Sequence, residues 1–302
     1  MRTLILNYNN LIQDGQNNKW VYKFPNSVQF RDSYISFCGC SVYYSWFNIT
    51  ATASNNSFSY NWIDGGGVPT TYTIAVPDGL YEITTLNQLL QFTMIQNGHY
   101  LVNAGGENVY YAEFIVNPAR YAVQVNTFLF PTALPAGFTN PAGVAFPPQS
   151  FNPIITFPSN INQIFGFPTS GTTIYNPTNQ NLNNAYVPPA NDQYVAKLAN
   201  GTLSYISTTA PNVQPNSSLL FSLSNIDNAY AQPTSIIYTL VPNVAVGELI
   251  SERPTNFIWN KLIPGTYNEL RLTLLGNDLQ PIKINDPAIT IILVVKDAAE
   301  RE

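Results

Sequence analysis

The feature that most constrains this chain is a two-residue rhythm of aromatic and β-branched residues, repeatedly cut by turn pairs. Trp20, Tyr22 and Phe24 alternate before Pro25-Asn26, and Phe58, Tyr60 and Trp62 alternate before Asp64-Gly65-Gly66-Gly67. A period of two places such residues on one face of a β-strand, and Gly, Pro, Asn and Asp supply the turns that end it. Val28, Phe30, Tyr34, Ile35 and Phe37, the stretch Ser41 to Thr50, and Thr70 to Val76 before Pro77-Asp78-Gly79 continue the pattern. Further strands are expected at 109–116, 121–130, 203–207, 219–223, 235–241, 256–260 and 267–275. In 288–296 the run Ile289, Ile291, Ile292, Leu293, Val294, Val295 is almost continuous. That run marks a strand covered on both faces and central in its sheet.

One segment departs from the rhythm. In Thr84 to Gly98 the residues Leu86, Leu89, Leu90 and Met94 share a helical face, a Thr is placed to cap the start, and Gly98 suits the left-handed position after the end. The stripe is narrow, which predicts a short helix lying half exposed on the sheets. From Pro131 to Pro189 proline interrupts the chain every few residues, among Phe138, Phe146, Phe151, Phe157, Phe165 and Phe167. Proline removes ladder donors, so this stretch is no row of central strands, and its aromatics need packing partners. It reads as an insertion of loops and short strands at approximately 131–190, with one helical turn at Ile161 to Phe165. Many antiparallel strands, one short helix and one loop insertion predict an all-β chain, a two-sheet sandwich of the jelly-roll type, with residues 1–302 forming one domain.

Composition narrows the function. Charged residues are 10% of the chain, aromatics 13% and apolar residues 45%, enough material for a core and too little repulsion for disorder. A net charge of −5 without a basic cluster argues against holding nucleic acid through its phosphates. Residues Met1 to Asn10 lack the pattern of a secretory leader, and no apolar run reaches the length of a membrane span. Cys38 and Cys40, two apart on a strand, would share a face roughly 6.5–7 Å apart, at or beyond the disulfide limit, which fits assembly inside a cell. Four Asn-X-Ser/Thr patterns, at Asn48, Asn55, Asn200 and Asn216, are expected by chance in so Asn-rich a chain.

Chemistry-bearing residues are sparse. His99 is the only histidine and follows the predicted helix, where a partly exposed structural role is expected. Cys38-Gly39-Cys40 lacks the second pair that a structural zinc site needs. Asp64-Gly65-Gly66-Gly67-Val68-Pro69 lacks the Lys-Ser/Thr of a phosphate loop and reads, like Gly105-Gly106-Glu107, as a plain loop. Glu82, Glu107, Glu113, Glu248, Glu252 and Glu269 sit mostly at turns or strand ends and suggest no glycosidase pair. Asp278 and Asp286 read as turn-forming carboxylates ahead of calcium ligands. No catalytic, cofactor-binding or metal residue is therefore assigned, no cofactor is expected, and the chain is expected not to be an enzyme.

Several stretches, in order, resemble the minor capsid (penton) proteins of virophages and Maverick/Polinton elements. They are Tyr44-Ser45-Trp46-Phe47-Asn48-Ile49-Thr50, Pro77-Asp78-Gly79-Leu80-Tyr81-Glu82-Ile83 with Leu86-Asn87 and Leu90-Gln91, and Tyr121-Ala122-Val123-Gln124. Ile164-Phe165-Gly166-Phe167-Pro168, Asn268-Glu269-Leu270-Arg271-Leu272 and Asp286-Pro287 come next along the chain. Phe47 stands where the family carries proline, and Gly276 to Pro281 matches the family turn only loosely. The resemblance implies a single jelly roll that forms a homopentamer at the five-fold vertices of an icosahedral double-stranded DNA virus. It would touch a double-jelly-roll major capsid protein there, in a virion assembled inside the host cell, with no sequence-specific nucleic-acid binding. Low surface charge and abundant Tyr, Trp and Phe suit such an assembly. A carbohydrate- or receptor-binding jelly roll, a lectin or fibre head, is the alternative that the exposed aromatics of the insertion would equally serve.

Overall fold

The computed structural model describes residues 1–167, 173–175, 203–214 and 216–298, the strand at 173–175 by its backbone. The chain starts with β1 (Arg2–Leu6), β2 (Lys19–Phe30) and β3 (Ser33–Tyr43). It continues through β4 (Ser57–Ile63), β5 (Pro69–Ala75), α1 (Ile83–Gln96), β6 (Leu101–Val102), β7 (Asn108–Val109), β8 (Ala112–Asn117), β9 (Ala122–Thr127), β10 (Ile154–Phe157), α2 (Ser159–Phe165), β11 (Thr173–Tyr175) and β12 (Leu203–Ile206). It ends with β13 (Leu219–Leu223), β14 (Ile236–Leu240), β15 (Leu249–Glu252), β16 (Asn260–Lys261), β17 (Gly265–Leu275) and β18 (Thr290–Asp297).

Packing divides the chain into two units, Met1–Phe47 with Gln214–Glu302, and Asn48–Val213. In the first unit the strands pair as a long antiparallel ribbon folded on itself: β1 with β18, β2 with β17, β3 with β15, and β13 with β14. Rolling that ribbon gives two four-stranded sheets of order β1-β18-β3-β15 and β14-β13-β17-β2, with β16 an extra partner of β3. Outermost strands paired with each other, and so inward to the hairpin, define a jelly roll. The fold is all-β, as the alternation predicts. Its interior is filled by inward-facing alternate residues of both sheets, such as Leu4, Leu6, Trp20, Ile35, Leu219, Phe221, Leu272 and Leu293. Phe37 of β3 stacks on Tyr238 of β14 at 4.1 Å and tilts against Phe221 of β13 at 4.9 Å, joining the two sheets. Burying each such side chain contributes about 1.5–3 kcal/mol.

The second unit departs most from the expected layout. The change to Pro-rich texture predicts an insertion near 131–190 within one domain, yet the segment carried between β3 and β13 begins at Asn48. The strands before 131 alternate like those of the jelly roll, so the sequence pattern does not disclose that β4 and β5 pair with each other and β4 with β10. Of the expected insertion, residues 168–190 other than 173–175 lie outside the described residues. This unit holds sheets of order β11-β10-β4-β5 and β12-β9-β8 and the short pair β6-β7. Its own core includes Phe58, Phe114, Phe157 and Phe165, with Phe138, Phe146 and Phe151 packed against it. The Pro-rich segment is thus anchored by its phenylalanines, as their number predicts; Phe146 stacks on Phe130 at 5.7 Å.

The helices form where expected, with one change. α1 buries Ile83, Leu86, Leu90 and Met94, but its N-cap is Glu82 without a side-chain cap bond; no Thr serves there. At its end Gly98 is left-handed (φ 72), the Gly98 N–H donates to the Ile95 carbonyl and the His99 N–H to Met94. This pair of bonds is the Schellman arrangement, which only a residue free to take positive φ closes cheaply. α2 ends the same way, at Gly166 (φ 79) with Phe167 N–H donating to the Asn162 carbonyl.

Two further differences are local. β1 carries no alternation signal long enough to be read, yet it pairs along its whole length with β18. Residues 256–259, expected in a strand, form loop, and only Asn260–Lys261 pairs with β3. β18 does lie between β1 and β3, the central position that its apolar run predicts.

Candidate functional site

His99 is placed by the turn closing α1, and its surroundings come from strands far away in sequence. Its ring stacks on Trp62 at 4.4 Å and 9°, with Tyr72 edge-on at 4.6 Å. The Tyr60 hydroxyl accepts from the Asn97 amide at 3.1 Å and lies 2.9 Å from His99 Nδ1. The residue is 6% exposed, so the expected partly exposed setting gives way to a buried one. Three aromatic rings enclose what an isolated helix end would leave in water. Burial pulls its pKa down to about 4, and the imidazole is neutral near pH 7.

Cys38 and Cys40 do not share a face. The β3–β18 register shifts at Cys38, since Ile292 pairs with Gly39 and Leu293 with Phe37. The extra residue of this bulge reverses the alternation, so Ile35 and Phe37 before it and Cys40 and Val42 after it all point into the core. Both thiols are free. Burial first, and the nearby Glu252 carboxylate second, push the Cys40 thiol up to about 12, leaving it protonated and unreactive.

The acids mostly serve turns. Asp278 accepts from the Gln280 N–H at 3.1 Å, Asp286 from Ala288 at 2.7 Å, Asp64 from Gly66 at 2.9 Å and Asp78 from Ala51 at 2.7 Å. Among the described residues no three His, Cys, Asp or Glu side chains come together as a metal site would require. Among the described residues Glu113 is the buried carboxylate. It lies inside β8, opposite Asn126 of β9, which in turn opposes Ser204 of β12. Asn126 Nδ2 donates to the Glu113 carboxylate at 2.8 Å, and its Oδ1 accepts from Gln124 Nε2 at 2.8 Å and from Ser204 Oγ at 2.6 Å. Asn117 Nδ2 extends the chain to Gln124 at 3.2 Å. All five are buried, so a strand face whose polarity reads as solvent-facing is an internal hydrogen-bonded layer. The alternation of Gln124 and Asn126 with Val123 and Val125 is the visible signal; that both faces are covered is not written in it.

The remaining candidates are surfaces. On the jelly roll Ile5 of β1, Leu249 of β15 and its partner Tyr43 of β3 are exposed, as are Val241 and Val246 between β14 and β15. Phe257, Ile258 and Ile263 are exposed as well, and Phe257 lies against Trp259, whose ring carries the Lys296 ammonium at 4.1 Å. In the other unit the β8–β9 hairpin ends in Arg120 and Tyr121, the latter 80% exposed with φ 49. Among the described residues no helix is long and apolar enough to cross a membrane.

No family model matches the chain, and no curated protein is similar to it. Among solved structures there are similar ones. The crystal structure of the selenomethionine-labelled mavirus penton protein aligns with 98% of this chain and 98% of its own, at 9% identity and a TM-score of 0.40. So distant a likeness carries no argument about function, which has to be read from the residues and topology of the chain itself.

Proposed function

We propose that this chain is a structural capsid protein and not an enzyme: a penton that assembles as a homopentamer at the five-fold vertices of an icosahedral double-stranded DNA virus. Its neighbours there would be copies of a double-jelly-roll major capsid protein, and its place the virion, assembled inside the host cell. The observation that carries the reading is the nested ribbon pairing of β1/β18, β2/β17, β3/β15 and β13/β14, the jelly roll that capsid proteins share with lectins. The ordered penton-like motifs add to it, since they span both units. The enclosure of His99 by Trp62, Tyr72 and Tyr60 supports the non-catalytic part, because a general base must reach a substrate proton.

A second reading, a carbohydrate- or receptor-binding jelly roll, is favoured by Tyr121 with Arg120 at the tip of the β8–β9 hairpin, an aromatic face open to stacking. Light scattering on the purified chain separates the two. The penton reading expects a species of five chain masses that dissociates only on dilution. A monomer at every concentration, with saturable sugar binding, would overturn it in favour of the second.

A further inference from the structure

We propose that the two edges of the β1-β18-β3-β15 sheet join copies of this chain head to tail, β1 of one copy pairing antiparallel with β15 of the next. The inference rests on the ring reading and names its interface. Among the described residues β1 pairs only with β18, and β15 only with β3, so each offers one unused row of backbone donors and acceptors. Soluble proteins guard such edges with proline or inward-pointing charge; neither strand contains a proline, and the core-side charges here, Arg2 and Glu252, are of opposite sign, which guards each edge against its own kind and not against the other.

Direction and register agree. β1 is antiparallel to β18, β18 to β3 and β3 to β15, so the two edges run oppositely. Rotation about an axis along the strands keeps each direction, and β15 of one copy therefore meets β1 of the next antiparallel. A ring built on two different patches has this head-to-tail form. One register matches every position: Leu4 opposite Ile250 on the core side, where both are buried, and Ile5 opposite Leu249 on the outer side, 51% and 45% exposed. Thr3 then faces Ser251, both exposed, and Arg2 faces Glu252. Arg2 already holds Asp297 at 2.6 Å, and Glu252 accepts from the Tyr238 hydroxyl at 2.7 Å, so the junction extends two existing polar contacts. A one-residue slip would turn core-side residues outward, and a two-residue slip sets Leu4 against Glu252. Two-fold pairing of like edges is poorer, since it opposes Arg2 to Leu6 in β1 or Glu252 to Ile250 in β15.

The test uses the whole chain. Thr3→Cys and Ser251→Cys, each on a separate copy, are mixed and oxidised; exposed positions of this kind leave the fold intact, and opposed strand residues lie within disulfide reach. The expected result is a cross-linked dimer in the mixture that neither variant, nor the parent chain with Cys38 and Cys40, gives alone. Chains carrying both substitutions should form a ladder ending at the closed ring. In parallel, Arg2→Glu should lose the assembled species and Arg2→Glu combined with Glu252→Arg should regain it. A five-chain parent with no mixed cross-link, and with assembly indifferent to Arg2→Glu, would overturn this interface and leave the pentamer standing. A parent that stays monomeric overturns both.

Discussion

At the scale of single residues, His99 shows how a group that looks chemical becomes structural. Its folded pKa, near 4, lies below the ordinary value of 6.5 because the aromatic enclosure disfavours the cation. The unfolded chain therefore binds a proton first as pH falls, and stability is lost from about pH 6.5 down to about 4, below which both states are protonated. The loss expected is on the order of 2–3 kcal/mol. Thermal unfolding of the parent and of His99→Phe at pH 7, 5.5 and 4 checks it: the gap between their melting temperatures should change in favour of the variant as the solution is acidified. Parallel curves would show that the ring carries no such penalty. The sequence places His99 after Gly98, and that much is local. Its burial depends on Tyr60, Trp62 and Tyr72, which reach it through the pairing of β4 with β5, and no window around residue 99 contains that information.

At the scale of elements, local rules are readable wherever one rule acts alone. Leu219–Leu223 alternates, and it is β13 with those bounds. Where two rules compete the outcome is set by partners. Pro25-Asn26 reads as a strand end, but β2 runs through it because the register against β17 shifts between Tyr267 and Glu269 and absorbs the irregular residues in a bulge. Phe257-Ile258-Trp259 is as aromatic as any strand here, yet Trp259 is engaged by Lys296 and not by a ladder. The clearest single-element dependence is at Gly166. Its left-handed backbone ends α2, its carbonyl accepts from the Thr209 N–H at 3.1 Å and hydroxyl at 2.9 Å, and an added Cβ would strike the Thr209 carbonyl. Gly166→Ala should cost roughly 1–2 kcal/mol from the conformation alone, and more from the collision. Urea unfolding measures it, and a loss within a few tenths of a kcal/mol would mean that the turn relaxes freely.

At the scale of the molecule, the jelly roll and the body inserted in it each close their own ends. Within the inserted unit Asn48 Nδ2 donates to the Val213 carbonyl at 2.8 Å, tying the residue where the chain arrives to the one where it leaves. Within the jelly roll Trp46 Nε1 donates to the Asn216 carbonyl at 3.1 Å. A chain in which a short Gly/Ser linker replaces residues 48–213 should therefore fold as a jelly roll with cooperative unfolding and a β-type circular dichroism spectrum. Loss of cooperative unfolding would show that the first unit needs the second to hold its shape. The Trp46–Asn216 bond also bears on how such proteins change over time. A scaffold whose opening is latched from within is little affected by the length of the chain inserted there, because loop-closure entropy grows only with the logarithm of length. Inserted bodies of quite different size can then be accommodated by one unchanged jelly roll, and this junction is where sequences sharing that jelly roll should differ most in length.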